Sequence, residues 1–519
     1  MISNRASGEA TQTGSARGGR PLISRLLVVA CLLPALTGMA QVAGKARRPN
    51  IVMVMADDLG WADVAFHGNL KVKTPVLDQL ARDGVRLDQF YAAPVCTPSR
   101  GSCLTGRNPN RYGTTWAGRY PLPREEQTVG DVLKAAGYRT GFFGKWHLGK
   151  LTPECDEGFP GLKLPPSAYS APWHHGFETC FTTESAVPGY NPMVWDEDWN
   201  LNSTAKTANK YIMDRPLQYG EGTLVGKPLP RWPYGFWVGE HQPAPGPIAG
   251  DASEVIMNPA IAFIEQAAVK QEPFLAVIWF VTPHTPVAAG AVSRAAYSNL
   301  TMREQHWFGA ISAMDAQIGR LRDTLRRLGV EGDTILWFCS DNGPSWVHEL
   351  NSAGPFRGQK GEVYEGGIRV PALVIWPGRI DGGRAVNQPL SVLDFLPTFM
   401  AATGTTKDLP PLDGENVLPV LEGKQASRHG ALYFDYPARE GSDTWRTGAT
   451  RQIAVIDGAW KLVSVDSLKS FQLYNLANDI SERTDLAASN GQVVDRLKKS
   501  LNSWAAGCSA SLAGADYHK

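Results

Sequence analysis

The chain has 519 residues, 43% hydrophobic and 19% charged, with 51 Lys or Arg against 50 Asp or Glu. That length exceeds one compact core and fits a large domain plus a smaller one. The near-neutral balance gives no argument for nucleic acid as a partner, and the absence of a long low-complexity tract excludes a disordered chain.

At the N-terminus, Arg17, Arg20 and Arg25 precede an apolar run over 26–36, and Gly38 and Ala40 supply small residues at a cleavage site. This is the layout of a secretory signal peptide over 1–40, and it predicts a secreted or periplasmic protein. The run is too short to span a bilayer and Pro34 interrupts it, so no stable membrane anchor is expected. The Gly/Ser-rich stretch before Arg20 leaves a downstream start codon open.

Further along, short apolar runs at 51–55, 140–143, 274–280, 334–339 and 372–376 lack polar alternation and read as buried parallel strands. Helical patterns lie between them. Thr74-Pro75 opens one that Gly84 closes, and Thr128 caps another ending at Gly137. Asp251 starts a third, and a fourth runs over about 303–328 with Ile311, Met314, Ile318, Leu321 and Leu325 on one face. Alternating strands and helices predict an α/β domain over 46–421, a large mostly parallel sheet sandwiched by helices. The stretch 158–250 is rich in Pro, Gly, Trp and Tyr and reads as long surface loops. Beyond 421 the texture changes. Runs at 432–436, 452–456, 460–465 and 471–474 read as antiparallel strands, and Val494, Leu497 and Leu501 mark a closing helix. Residues 422–519 are therefore expected to form a smaller α+β domain.

Four of the apolar runs lead into reactive polar residues. The first precedes Asp57 and Asp58, the second Lys145 and His147, the third His284, and the fourth Asp341 and Asn342. Ligands of open parallel sheets bind beyond the carboxyl ends of the strands, so these residues are expected at one edge. Asp57, Asp58, Asp341 and Asn342 all offer oxygen, which suits a hard divalent cation rather than zinc. Calcium tolerates so irregular a donor set better than magnesium does.

The sharpest local pattern is Cys96-Thr97-Pro98-Ser99-Arg100, continuing to Leu104-Thr105-Gly106. It resembles the signature of the sulfatase family, a branch of the alkaline-phosphatase-like hydrolases, in its secreted bacterial type. Asp57-Asp58, Gly144 to Gly149, Pro283-His284 with Pro286, Asp341-Asn342-Gly343, Gly358 to Gly361 and Glu365 to Pro371 are similar to further motifs of that family, in the same order. Leu473 to Leu476 with Asp479 and Glu482 is similar to its closing motif.

The resemblance implies the alkaline-phosphatase-like fold and an arylsulfatase-like sulfuric ester hydrolase acting on a sulfated carbohydrate or aryl sulfate. It implies that a separate formylglycine-generating enzyme oxidises Cys96 to formylglycine, whose hydrate attacks sulfur with one hydroxyl and expels sulfate with the other. One Ca²⁺ would be held by Asp57, Asp58, Asp341, Asn342 and the modified Cys96. Arg100 would stabilise the hydrate, and Lys145 and Lys360 would bind sulfate oxygens. His147 would orient the hydrate or take its proton, and His284 would bind sulfate and protonate the leaving oxygen. The aromatic content of 158–250 would suit stacking on sugar rings. Two rival readings stay open: a phosphodiesterase or phosphonate monoester hydrolase using the same formylglycine, and an inactive binding homologue.

Of the seven cysteines, Cys31 lies in the signal, Cys155 and Cys180 flank one loop-rich stretch and could pair, and Cys339 reads as a buried free thiol. Cys103 has no assigned role. His67, His174, His175, His306 and His348 are further candidates to line a substrate pocket.

Overall fold

The structure, a computed structural model, describes residues 48–118, 120–153, 165–192, 235–246, 248–345, 350–437 and 450–517. The expected signal peptide, Cys155, His348 and most of 158–250 lie outside the described residues.

The five apolar runs all form strands: β1 (Asn50–Ala56), β2 (Arg139–Lys145), β3 (Phe274–Trp279), β4 (Thr334–Ser340) and β5 (Ala372–Ile375). They belong to a ten-stranded sheet. Its order is Arg384–Val386, Val85–Leu87, β5, β4, β1, β3, β2, Thr179–Thr183, Trp237–Gly239 and Gln242–Pro243. The centre is parallel: β1 pairs with β3 and β4, and β2 pairs with β3 and Thr179–Thr183.

Two expectations need correction here. Strand β5 runs antiparallel to β4, not parallel. An unbroken apolar run reports burial on both faces, and burial says nothing about direction. Thr179–Thr183 is a further strand of the sheet, as are Trp237–Gly239 and Gln242–Pro243, inside the stretch read as surface loops, and it pairs with β2. Its polar threonines conceal it, because two of them are buried against Gly144 and Lys145 at the sheet's functional edge. Within it, Cys180 is a buried free thiol.

Helices α1 (Pro75–Asp83), α2 (Cys96–Thr105), α3 (Val129–Ala135), α4 (Ala252–Val269), α5 (Met302–Arg327) and α6 (Phe395–Thr403) cover the sheet. Their starts follow local chemistry. Thr128 and Thr301 form capping boxes with Asp131 and Glu304, and the Asp251 carboxylate accepts from Ser253 and Glu254 amides. Side chains of β1 alternate between two cores, as a strand's two-residue period requires. Val52 and Val54 join α1, α4 and α5 on one face. Ile51, Met53 and Met55 join α2, α3 and α6 on the other. Among the described residues no helix is long and apolar enough to cross a membrane.

The C-terminal strands β6 (Leu432–Tyr436), β7 (Gln452–Asp457), β8 (Trp460–Ser464) and β9 (Gln472–Asn475) form an antiparallel sheet in sequence order. One face packs against α7 (Gly491–Leu512) through Ile453, Val455, Leu462, Leu497 and Leu501. The other carries Ala454, Ile456, Val463 and Tyr474 against Tyr91, Val95, Val363 and Ile368, beside the start of α2.

One glycine at the functional edge has no substitute. Gly144 adopts φ 105°, and a Cβ there would lie 1.8 Å from the Trp279 carbonyl oxygen on the paired strand. Gly144→Ala is expected to cost about 1–3 kcal/mol from backbone conformation before any clash. A clear fall in Tm checks this, and a Tm equal to that of the parent would contradict it.

Candidate active site

The carboxyl ends of β1, β2 and β4 deliver Asp57 and Asp58, Lys145 and His147, and Asp341 and Asn342 to one edge, and the segment after β3 delivers His284. Cys96 opens α2 beside them. Cys96 and Arg100 are four positions apart, so both occupy one face of that helix. Pro98 falls in the first turn, where its missing N–H costs nothing. All ten residues of α2 are buried.

Arg100 is the hub. One nitrogen of its fully buried guanidinium donates to Asp341 Oδ2 at 2.7 Å and lies 3.4 Å from Asp57 Oδ1. Another donates to the Lys145 carbonyl at 3.0 Å. Its underside rests 5.1 Å from the Trp279 ring centroid. Lys145 Nζ donates to Asp57 Oδ2 at 2.7 Å, and Lys360 Nζ donates to Asp58 Oδ1 at 2.5 Å. Asn342 Nδ2 donates to the same Asp58 oxygen at 2.8 Å, and the Asp58 amide donates to Asp341 Oδ1 at 3.0 Å. Asp58 and His147 both hold positive φ, 63° and 55°, a conformation other residues avoid and functional sites retain.

Three carboxylates face three fixed cations, so the buried set is neutral as it stands. Burial would raise the Asp58 carboxyl, but Lys360 and His284 outweigh it and hold it below the ordinary carboxylate range. Asp341 goes the other way: burial and the neighbouring Asp57 push it up to about 6. Burial raises the Cys96 thiol, against the pull of Lys360 and Lys145. A raised thiol is a poor nucleophile at neutral pH, so the cysteine as it stands is not an activated thiolate.

The donor set fits a hard divalent cation. Asp57, Cys96 and Asp341 bring ligand atoms within 4.8 Å of one another. Asp57 Oδ1 and Asn342 Oδ1 are buried and accept no hydrogen bond, which is costly unless something electropositive meets them. Asp57, Asp58 and His284 form a second such group, but an imidazole nitrogen suits a hard cation less well.

The histidines differ. His147 is buried with no hydrogen bond to either ring nitrogen, and burial with Lys145 and Arg100 nearby pushes its pKa well down. His284 Nδ1 lies 2.6 Å from the Thr285 carbonyl oxygen, which can only accept, so Nδ1 carries the proton and Nε2 faces Asp58 Oδ2 at 3.7 Å. Burial and Lys145 lower His284 to about 3.

All ten expected residues meet at this edge: Asp57, Asp58, Cys96, Arg100, Lys145, His147, His284, Asp341 and Asn342 are buried, and Lys360 is half-buried with its side chain 13% exposed. Sequence reasoning missed Thr97, whose hydroxyl donates to the His147 carbonyl at 2.8 Å and accepts from the Gly118 amide. It occupies a variable position of the signature, so no pattern marked it. Of the other histidines, His67 stacks on Trp61 with centroids 3.8 Å apart, and His175 and His306 are buried on Ser170 and the Ala289 amide. His174 is half-buried beside Ala171.

A family model described as Sulfatase matches residues 49–405, and one described as N-sulphoglucosamine sulphohydrolase, C-terminal, matches 358–506. Arylsulfatase H of Homo sapiens is 31% identical over 442 residues, which cover 75% of each chain. N-acetylgalactosamine-6-sulfatase of Canis lupus familiaris is 29% identical over 76% of this chain and 69% of its own. The crystal structure of Ps i-CgsB in complex with k-i-k-neocarrahexaose superposes with a TM-score of 0.69 at 25% identity, covering 89% of this chain and 93% of that one.

The Asp341 shift gives a test of the cation site. A carboxyl raised to about 6 is protonated at a pH where ordinary carboxyls are not, and proton and cation compete for it. Affinity for a divalent cation such as calcium is therefore expected to weaken as pH falls through about 6. Calcium titration of chelator-stripped protein, read as a rise in Tm from pH 8 to 5, checks this. An affinity flat across that range, or no response to calcium at all, would contradict it.

Proposed function

The chain belongs to the sulfatase family and is a sulfatase; on that premise we propose that it desulfates a sulfated carbohydrate with an oxidised Cys96 and one calcium ion. The observation that carries the reading is the neutral cluster of three carboxylates and three cations around Cys96, with Asp57 Oδ1 and Asn342 Oδ1 left without a hydrogen bond. A divalent cation bound there leaves a site two charges positive, which suits an anionic sulfate ester. Supporting a carbohydrate are the oligosaccharide in the Ps i-CgsB complex and the amino sugar in the name of the canine relative. Supporting a secreted or periplasmic location is the basic and then apolar N-terminus.

Oxidised to a hydrated aldehyde by a separate enzyme, Cys96 would supply two hydroxyls on one carbon, one to attack sulfur and one to expel sulfate. Calcium held by Asp57, Asp58, Asp341 and Asn342 would polarise the sulfate group and favour ionisation of the attacking hydroxyl. Arg100 holds Asp341 and Asp57 in place from below. Lys145 and Lys360 offer ammonium groups to the sulfate oxygens as charge develops on them. His147, neutral and with unpartnered nitrogens, is ready to accept a proton.

The leaving oxygen needs a donor. His284 must gain a second proton to serve, and burial with the nearby lysines opposes that. Lys360 is held protonated by Asp58, against the burial that would lower it, and has its proton in hand. We therefore assign the donor role to Lys360 and a binding role to His284. A sugar alkoxide needs the proton and a nitrophenolate does not. Lys360→Ala is expected to slow a sugar sulfate about 10²–10⁴-fold more than nitrophenyl sulfate, and His284→Ala to slow both alike. The reverse pattern in kcat would return the role to His284.

Oxidation of Cys96 is checked directly. The tryptic peptide 87–100 of active enzyme should show an aldehyde in place of the thiol by mass spectrometry. Cys96→Ala should keep its Tm and lose turnover. A fully active preparation carrying only thiol would overturn the mechanism, and faster hydrolysis of an aryl phosphate diester than of the aryl sulfate would favour the diesterase reading.

A further inference from the structure

We propose that Gln452 and Lys461, on the C-terminal sheet, are positioning residues that set Lys360 and the cation-binding loop; the proposal rests on the roles given above to Lys360 and calcium. Gln452 opens β7 and is buried. Its amide nitrogen donates to the Gly361 carbonyl at 3.1 Å and its oxygen accepts from the Val363 amide at 3.3 Å. One side chain thus grips the backbone immediately after Lys360 at two points. The same segment is tied to the active site on its other side: the Gly361 amide donates to the carbonyl of Pro94, two residues before Cys96, and the Lys360 amide donates to the Pro344 carbonyl.

Lys461, on β8, is fully buried. Its ammonium donates to Glu365 Oε1 at 2.9 Å and lies 2.8 Å from Glu482 Oε1. Glu365 begins the turn Glu365–Ile368, and its own amide donates to Glu482 Oε2 at 2.7 Å. The turn rests on the cation loop. Gly367 O accepts from the amide of Gly343, the residue after Asn342, and a Cβ on Gly343 would lie 1.9 Å from Gly366 O. The two backbones touch, so movement of one must move the other.

Tyr91 and Arg369 complete the shell around Glu365, at 2.9 and 3.2 Å. With Arg369, the group balances two carboxylates against two cations. Without Lys461 it holds an uncompensated buried charge, which is strongly destabilising and forces rearrangement at the turn. The opposite face of the sheet provides the contrast: it packs α7 through an apolar cluster that includes Leu501, with polar links from Tyr433 to Ser500 and from Asp457 to Arg496.

The test uses the full chain with three substitutions: Lys461→Met, Gln452→Leu, and Leu501→Ala on the α7 side. Each is measured for Tm, for kcat and KM on nitrophenyl sulfate, and for calcium affinity by calorimetry on chelator-stripped protein. Outer residues of this kind change metal affinity or activity by about 10–100-fold. Lys461→Met is expected to weaken calcium binding by that factor, and Gln452→Leu to lower kcat by that factor with KM and calcium affinity little changed. Leu501→Ala should lower Tm and leave both readouts intact, which a merely structural role for the other two would not produce. If Lys461→Met does not fold, Gln452→Leu, which removes no charge, decides the matter by itself. A wild type that responds to calcium, with variants that do not move kcat or affinity, overturns this proposal alone, as does a Leu501→Ala that loses as much. A wild type indifferent to calcium overturns the calcium reading as well.

Discussion

Six formal charges are buried at one edge of the sheet, and the fold must keep them balanced. Asp57, Asp58 and Asp341 are each within 3.4 Å of Arg100, Lys145 or Lys360. Removing one partner from such a set leaves a charge in a poorly solvating interior, at a typical cost of about 3–5 kcal/mol. The balance is also what makes the site chemical. A neutral cluster with two oxygens lacking hydrogen bonds has the donor chemistry to hold a divalent cation, and a cation there would leave the site positive.

The sheet exists in a form that serves this need. Parallel strands release their last residues on the same edge, and β1, β2, β3 and β4 are all parallel neighbours at its centre. Arg100 reaches that edge from α2, whose first residue is Cys96 and whose Cys103 and Leu104 pack on one face of the sheet. Trp279, the last residue of β3, supplies the flat surface under the guanidinium. A helix-borne cation is thereby seated among strand-borne anions.

The C-terminal sheet is part of the same machinery. Its inner face shares a core with Tyr91, Val95 and Ile368, and its polar side chains bind Gly361, next to Lys360, and Glu365, whose turn contacts Gly343 after Asn342. The family models meet there too: they overlap over 358–405, the stretch that holds Lys360 and Glu365. The candidate site built from the first part of the chain is thus hydrogen-bonded through the segment 361–365 to the second.

By itself the sequence determined the elements and the chemistry. Unbroken apolar runs marked β1 to β4, Thr74-Pro75, Thr128 and Asp251 marked the starts of α1, α3 and α4, and the reactive residues following the strands marked the candidate site. Cys96 and Arg100 were legible through the Cys96-Thr97-Pro98-Ser99-Arg100 pattern and its family resemblance, whereas their place on one helix face came from the structure. Tertiary structure decided what local pattern cannot carry. The direction of β5 was hidden because burial is the same for either direction. Thr179–Thr183 was hidden because its threonines are buried by their neighbours rather than by their own hydrophobicity. The protonation of His284 depends on the Thr285 carbonyl and on two lysines from distant segments, Lys145 and Lys360. The grip of Gln452 and Lys461 joins residues about ninety positions apart in the chain. Sequence spacing records neighbours along the chain, and charge balance is settled among neighbours in space.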